Sequence, residues 1–262
     1  MIGRALAVIW LAACGHLDFD PIAVTGDAAG DAAGERVVTV VQVAPPSLIA
    51  GVTSTSVAFP APTAIGDLIV VATWNFCIGA ATFTAASVAD NAANPYAIAV
   101  VYNQATGECD GGTADVAIYY APVVAPSSAL SITVTPTGGS QDINVAAMEY
   151  RGLAGAVDTT NAVETPAAAS PTTFASGSIT TSESVELIVS VANVCNGYPN
   201  VGSWAELDGF TPRAAATDQQ TQEAGMVGDR VASTAGMYED SWTWTWTGGG
   251  PYPSVGAIAA FK

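Results

Sequence analysis

What most narrows the folds open to this chain is the way its apolar residues are dealt out. From Arg36 onward they come in short runs rich in Val, Ile, Thr, Tyr and Trp, each broken by Pro, Gly, Asn or Asp. Branched and aromatic side chains suit a pleated surface, and the interrupting residues suit turns. No stretch of about 12 residues keeps helical spacing free of breakers. Strands are expected at residues 37–43, 54–59, 67–75, 82–88, 96–102, 114–120, 130–135, 143–150, 174–179, 186–194, 210–216, 241–247 and 254–261. Short strands without helices must bury their apolar faces on one another, so they pack as sheets. The expectation is an all-β, two-sheet β-sandwich of jelly-roll type. No linker interrupts 36–262, which is read as a single domain.

Half of the residues are apolar, ample for a core, and only 11% are charged, against roughly 25% in ordinary soluble domains. The net charge is −17, and beyond residue 35 the cations are Arg36, Arg151, Arg213, Arg230 and Lys262. Phosphate backbones need clustered Lys and Arg, so nucleic acid is excluded as a partner. The acids are scattered and read as a solubilising surface.

Two stretches echo each other. Asp67-Leu68-Ile69-Val70 leads to Asn75-Phe76-Cys77, and Glu186-Leu187-Ile188-Val189 leads, one residue sooner, to Asn193-Val194-Cys195. Both are continuous apolar runs, as expected of central strands covered on both faces. They are either equivalent strands of two halves or simply alike because core strands are alike; the second is favoured.

The N-terminus has a different character. Arg4 precedes an uncharged run that ends Leu11-Ala12-Ala13-Cys14, and a positive start, a short apolar stretch and small residues before a cut make a secretory signal. Those last four residues resemble the lipobox of bacterial lipoproteins. The resemblance implies cleavage after Ala13, acyl chains on Cys14 and a membrane partner reached through lipid. Gly15 rather than Asp after the cysteine favours the outer membrane or cell surface. Residues 15–35 are rich in Asp, Ala and Gly and hold too little apolar surface to offset ordering entropy. They read as a disordered tether of about 25 Å mean span. The expected layout is thus a signal peptide at 1–13, lipidated cysteine and tether at 14–35, and the sandwich at 36–262. The body is similar to an uncharacterised group of exported bacterial β-sandwich domains. The likeness rests on Gly66-Asp67-Leu68-Ile69-Val70-Val71, Tyr119-Tyr120-Ala121, Glu149-Tyr150-Arg151-Gly152-Leu153, Gly209-Phe210-Thr211, Asp229-Arg230 and Ala259-Ala260-Phe261-Lys262. It implies a sandwich and no catalytic residues.

Chemistry is sparse. The only histidine, His16, lies in the tether, which removes Ser/His/Asp and Cys/His arrangements and histidine-bound zinc from the body. There is no GxSxG, phosphate-binding glycine loop or HExxH. A polysaccharide hydrolase would need two acids about 5–9.5 Å apart; Glu149, Asp158, Glu206 and Asp208 are available, and nothing in their spacing selects a pair. Glu149, inside an apolar strand, is expected to pair with Arg151 or another arginine, since residues i and i+2 share a face. Calcium is the one cofactor to consider, at Glu108, Asp110 and Asp115 or at Asp90, Asn91 and Asn94. Neither set has a calcium-loop spacing, ordinary turns are expected, and no cofactor is assigned. Export permits a disulfide, with Cys77–Cys109 the first choice and Cys77–Cys195 the second. The candidate ligand-binding residues are Trp242, Trp244 and Trp246, which a period of two places on one face. Buried, they are core, the default; exposed, they form a platform for sugar rings. Trp74, Tyr198 and Trp204 are lesser candidates of this kind. The expected function is a lipid-anchored cell-envelope module, binding carbohydrate or a surface partner or serving structurally. A carboxylate-dependent polysaccharide hydrolase is the alternative.

Overall fold

The computed structural model describes residues 36–78, 88–104, 112–137, 141–195, 202–216, 223–246 and 251–262. Val37–Lys262 forms one compact unit, and its described residues are all-β. The expected runs within the described residues form strands, and their neighbours in the sheets explain the patterns; the run expected at 82–88 lies outside the described residues except for Val88. In chain order the first nine are β1 (Thr39–Val43), β2 (Ser47–Val52), β3 (Thr55–Ala58), β4 (Leu68–Ile78), β5 (Val88–Asp90), β6 (Ala97–Asn103), β7 (Gly112–Pro122), β8 (Ser131–Val134) and β9 (Gln141–Arg151). There follow β10 (Val157–Ala168), β11 (Thr172–Ala175), β12 (Ile179–Thr180), β13 (Glu186–Cys195), β14 (Gly202–Glu206), β15 (Thr211–Ala216), β16 (Glu223–Ala232), β17 (Met237–Tyr238), β18 (Ser241–Trp246) and β19 (Tyr252–Phe261).

Two large antiparallel sheets form the middle of the unit. One runs β1-β9-β4-β7-β6, with β2 also on β9, and the other β10-β19-β13-β16-β15. Their facing sides meet in one apolar cluster: Leu68, Val70, Ala72 and Trp74 of β4 pack with Val116 and Ile118 of β7, Val189 and Val191 of β13, and Ala257 and Ala259 of β19. The outer side of the first sheet is covered by the small sheet β3-β8-β5, through Ile69, Val71, Tyr119, Leu130 and Ile132. The outer side of the second is covered by β11-β18-β14 and the pair β12-β17. The central strands are therefore buried on both faces, the physical reason they read as unbroken apolar runs.

The expected all-β, jelly-roll-like sandwich is what forms, and its strand path occurs twice. Setting aside β12 and β17, and counting β1 with β2 as one strand, each half has eight strands in the same order. The large sheet joins its first, eighth, third, sixth and fifth, and the small sheet its second, seventh and fourth. That is a jelly-roll path with the fifth strand on the edge of the large sheet. Register makes the equivalence residue by residue. Leu68 lies between Tyr150 and Pro122, and Leu187 between Phe261 and Val231. Counted from these, the β1–β9 ladder skips Val41 where β10–β19 skips Asp158, and β6–β7 skips Ala99 where β15–β16 skips Arg213. Two shared bulges do not arise from core strands merely looking alike, so the Asp67 and Glu186 stretches are equivalent strands of two halves. Their endings are offset: Trp74, not Asn75, stands opposite Asn193 in this matching. Pro45-Pro46, lacking ladder N–H groups, separate β1 from β2 where β10 runs on.

Candidate functional site

At one end of the seam between the large sheets lies a cleft of about 180 Å³, lined by Val38, Val40, Tyr150, Leu187, Gly209, Thr211, Arg213, Asp229, Arg230 and Val231. Its polar wall is built from three strands. Asp229 of β16 is buried, and its Oδ2 accepts the Tyr150 hydroxyl of β9 at 2.6 Å and Arg213 Nε of β15 at 2.7 Å. Arg213 is the bulged residue of β15, and a bulge turns a side chain out of the pleat and is often found beside functional sites. Arg230 follows Asp229 on the other face of β16, donates Nη1 to the Asp208 carbonyl at 2.7 Å and lies over the Tyr238 ring at 5.2 Å. Burial, with the Asp229 carboxylate and its hydrogen bond, pushes the Tyr150 hydroxyl far above the ordinary phenol range. Tyr150 therefore stays a donor to Asp229. Arg213 is held more firmly protonated: burial opposes its charge, but the Asp229 hydrogen bond and charge outweigh it. Arg213 and Asp229 thus neutralise each other in the cleft wall, while the Arg230 guanidinium lies toward Tyr238 of β17.

The tryptophan strip goes the other way. The period of two does put the indoles on one face, but Trp242 and Trp244 are fully buried and Trp246 is 5% exposed. They pack with Phe174, Val194, Ala224 and Met226 against the outer side of the second large sheet. The strip is core and offers no sugar-stacking platform, a correction to its candidacy as a binding face. Trp74 is buried in the seam, and half-buried Trp204 stacks on Trp244 at 4.7 Å. Tyr198 lies outside the described residues.

Glu149 does not pair with arginine. It stands opposite Gln42 in the β1–β9 ladder, accepts Gln42 Nε2 at 2.5 Å and the Ala64 N–H at 3.2 Å, and burial raises its pKa. Arg151, at the exposed end of the strand, instead grips Asp67 with Nε at 2.9 Å and Nη2 at 2.7 Å. Asp158 is bonded to Lys262 at 2.7 Å and accepts both the N–H and hydroxyl of Ser182. Burial works against its charge, yet these partners hold its carboxyl at about 2. Glu206 and Asp208 share one turn, where the Asp208 N–H donates to Glu206. The Asp90 oxygens are filled by the N–H groups of Ala92 and Asn94, the Asn94 side chain and the Tyr96 hydroxyl, so this loop is a protein-bonded turn. Asp115 is buried; Glu108 and Asp110 lie outside the described residues. Among the described residues no three His, Cys, Asp or Glu side chains are grouped to hold a metal ion. Cys14 and Cys109 lie outside the described residues, as do the side chains of Cys77 and Cys195.

Residue-level sequence reasoning missed the cleft. Its signal was the scarcity of cations, since two of the few arginines flank Asp229 in space. No family model, curated protein or solved structure matches this chain.

Proposed function

We propose that this is a lipid-anchored cell-envelope protein whose double jelly-roll body is a binding or structural module, recognising a carbohydrate or another surface molecule. The anchor rests on Leu11-Ala12-Ala13-Cys14 and the tether composition. The observation that carries the binding half is the Arg213–Asp229–Tyr150 cluster, an ion pair and a phenol lining a cleft at one end of the seam between the large sheets. No helix among the described residues is long and apolar enough to cross a membrane. The test applies the full chain to an envelope-glycan array and assays the same glycans for reducing-sugar release. Retention without release supports the binding module, neither signal leaves a structural role, and release overturns the proposal in favour of hydrolysis.

A further inference from the structure

The two halves act as an internal control on the cleft. At the matching place in the other half, Phe261 stands for Tyr150, Tyr120 for Asp229 and Ala99 for Arg213. There the seam is closed by an aromatic contact, Tyr120 on Phe261 with centroids 5.6 Å apart. The fold thus has an apolar solution for this junction and departs from it on one side only. A buried ion pair is weak evidence for stability, because an apolar set of similar volume often serves as well or better. Packing therefore does not account for the polar cluster.

The polar atoms left over define what fits. Arg213 spends Nε on Asp229, and Asp229 spends Oδ2 on Arg213 and on the Tyr150 hydroxyl. Both Nη atoms of Arg213 and Oδ1 of Asp229 have no protein partner among the described residues. The pair is neutral as a whole, so a charged ligand would enter without a counter-charge, and a desolvated unpaired charge is costly. A neutral ligand must then bring an acceptor for Arg213 beside a donor for Asp229. Hydroxyls do both, since each carries one O–H donor and two lone pairs, and neighbouring hydroxyls of a sugar ring present the two roles side by side. Val38, Val40, Leu187 and Val231 supply an apolar wall for the C–H face of such a ring. The volume equals about six waters at ~30 Å³ each, room for one sugar ring, and falls below the ~300 Å³ at which drug-sized pockets begin. A peptide chain, whose amides carry the same two roles, needs a longer groove for its flanking residues.

We infer that this cleft binds the end of a neutral glycan, with neighbouring hydroxyls of its terminal ring held between the Nη donors of Arg213 and Oδ1 of Asp229. The inference rests on the module proposal and names the ligand class of its cleft. The test is calorimetric titration of the full chain in detergent with the methyl glycosides of glucose, galactose and mannose. Tetrahydropyran, the same ring without hydroxyls, and N-acetylglycine amide, a peptide-like amide, serve as controls. Saturable binding of at least one glycoside, at least tenfold tighter than either control, is expected, and the epimer preferred shows which hydroxyl pair is read. Arg213→Lys keeps a cation on Asp229 but lacks the Nη fork, and it should weaken that binding at least fivefold. Val231, on the exposed side of the cleft wall, can be enlarged without touching the ion pair, and Val231→Tyr should abolish binding. No saturable glycoside binding, amide binding as tight as the glycosides, or full affinity in either folded variant overturns the inference. Glycans retained on the array while the glycosides fail, or retained undiminished by Val231→Tyr, would refute the cleft as the site and leave the module proposal standing.

Discussion

Asp240 shows how one residue departs from its twin. The Phe59 N–H donates to the Leu130 carbonyl at 3.0 Å, and the Ser176 N–H to the Asp240 carbonyl at 2.8 Å, so Asp240 occupies the place of Leu130. Val71 and Tyr119 beside Leu130 become Ser190 and Gly228 beside Asp240. Asp240 is fully buried, accepts the Ser190 hydroxyl on Oδ2, and has no partner on Oδ1 among the described residues. Burial, together with the Glu206 and Asp208 charges and against the Ser190 hydrogen bond, raises its pKa to about 8. An acid raised in the folded state binds its proton more tightly there than unfolded. Its contribution is fully present below the ordinary carboxylate pKa and is lost as pH rises to about 8. Urea unfolding at pH 5 and pH 9 should show the wild type losing on the order of a few kcal/mol more than Asp240→Asn. Equal losses would mean that Asp240 is ionised throughout. Ser190→Val with Asp240→Leu, which copies the first half, should raise Tm at pH 9 more than at pH 5.

At the scale of elements, the strands most legible in the sequence were those covered on both faces, such as β4, β9 and β13, because burial forces an unbroken apolar run. β10 and β16 were passed over. β10 is an edge strand whose Thr, Asn and Glu residues meet solvent, so no period marks it. β16 carries Gly225, Gly228 and Asp229, which read as a turn, yet each is demanded by a partner in the other half or in the covering sheet. A Cβ on Gly225 would fall 2.0 Å from the Trp74 ring, and one on Gly228 would fall 3.4 Å from Asp240 Oδ2. The candidate site was illegible for the same reason: Arg213 and Asp229 meet through the β15–β16 pairing, and only the stacking of the halves brings Tyr150 to them. The tryptophan period gave the shared face but not its direction, since both faces of an edge sheet obey the same alternation. Gly225→Ala should cost about 1–3 kcal/mol through overpacking. Gly236→Ala, where an added Cβ meets nothing within 4 Å, should stay within about 0.5 kcal/mol. Thermal unfolding of both variants decides whether the glycine is there for the indole.

For the whole molecule, the proposed anchor and the seam make separable predictions. Cys14→Ser should release the protein from membranes on carbonate washing, and retention in the membrane pellet would remove the lipid anchor. The seam prediction follows from the two-halves architecture. The large sheets face each other as a pseudo-symmetric pair, one flank closed by Tyr120 and Phe261 and the other by Tyr150, Asp229 and Arg213. Removing one member of the charged flank strands the rest: Arg213→Ala leaves the buried Asp229 carboxylate without its cation and should cost about 3–5 kcal/mol. Replacing the set by its counterpart has no such penalty. The triple variant Tyr150→Phe, Asp229→Tyr, Arg213→Ala installs the residues the other flank already uses, and it should be as stable as the wild type or more stable by about 1–4 kcal/mol. A triple variant less stable than Arg213→Ala alone would show that the flanks are not interchangeable and that the charged cluster is part of what holds the halves together. Recovery of stability would show that the cluster costs the fold stability and is not required by packing.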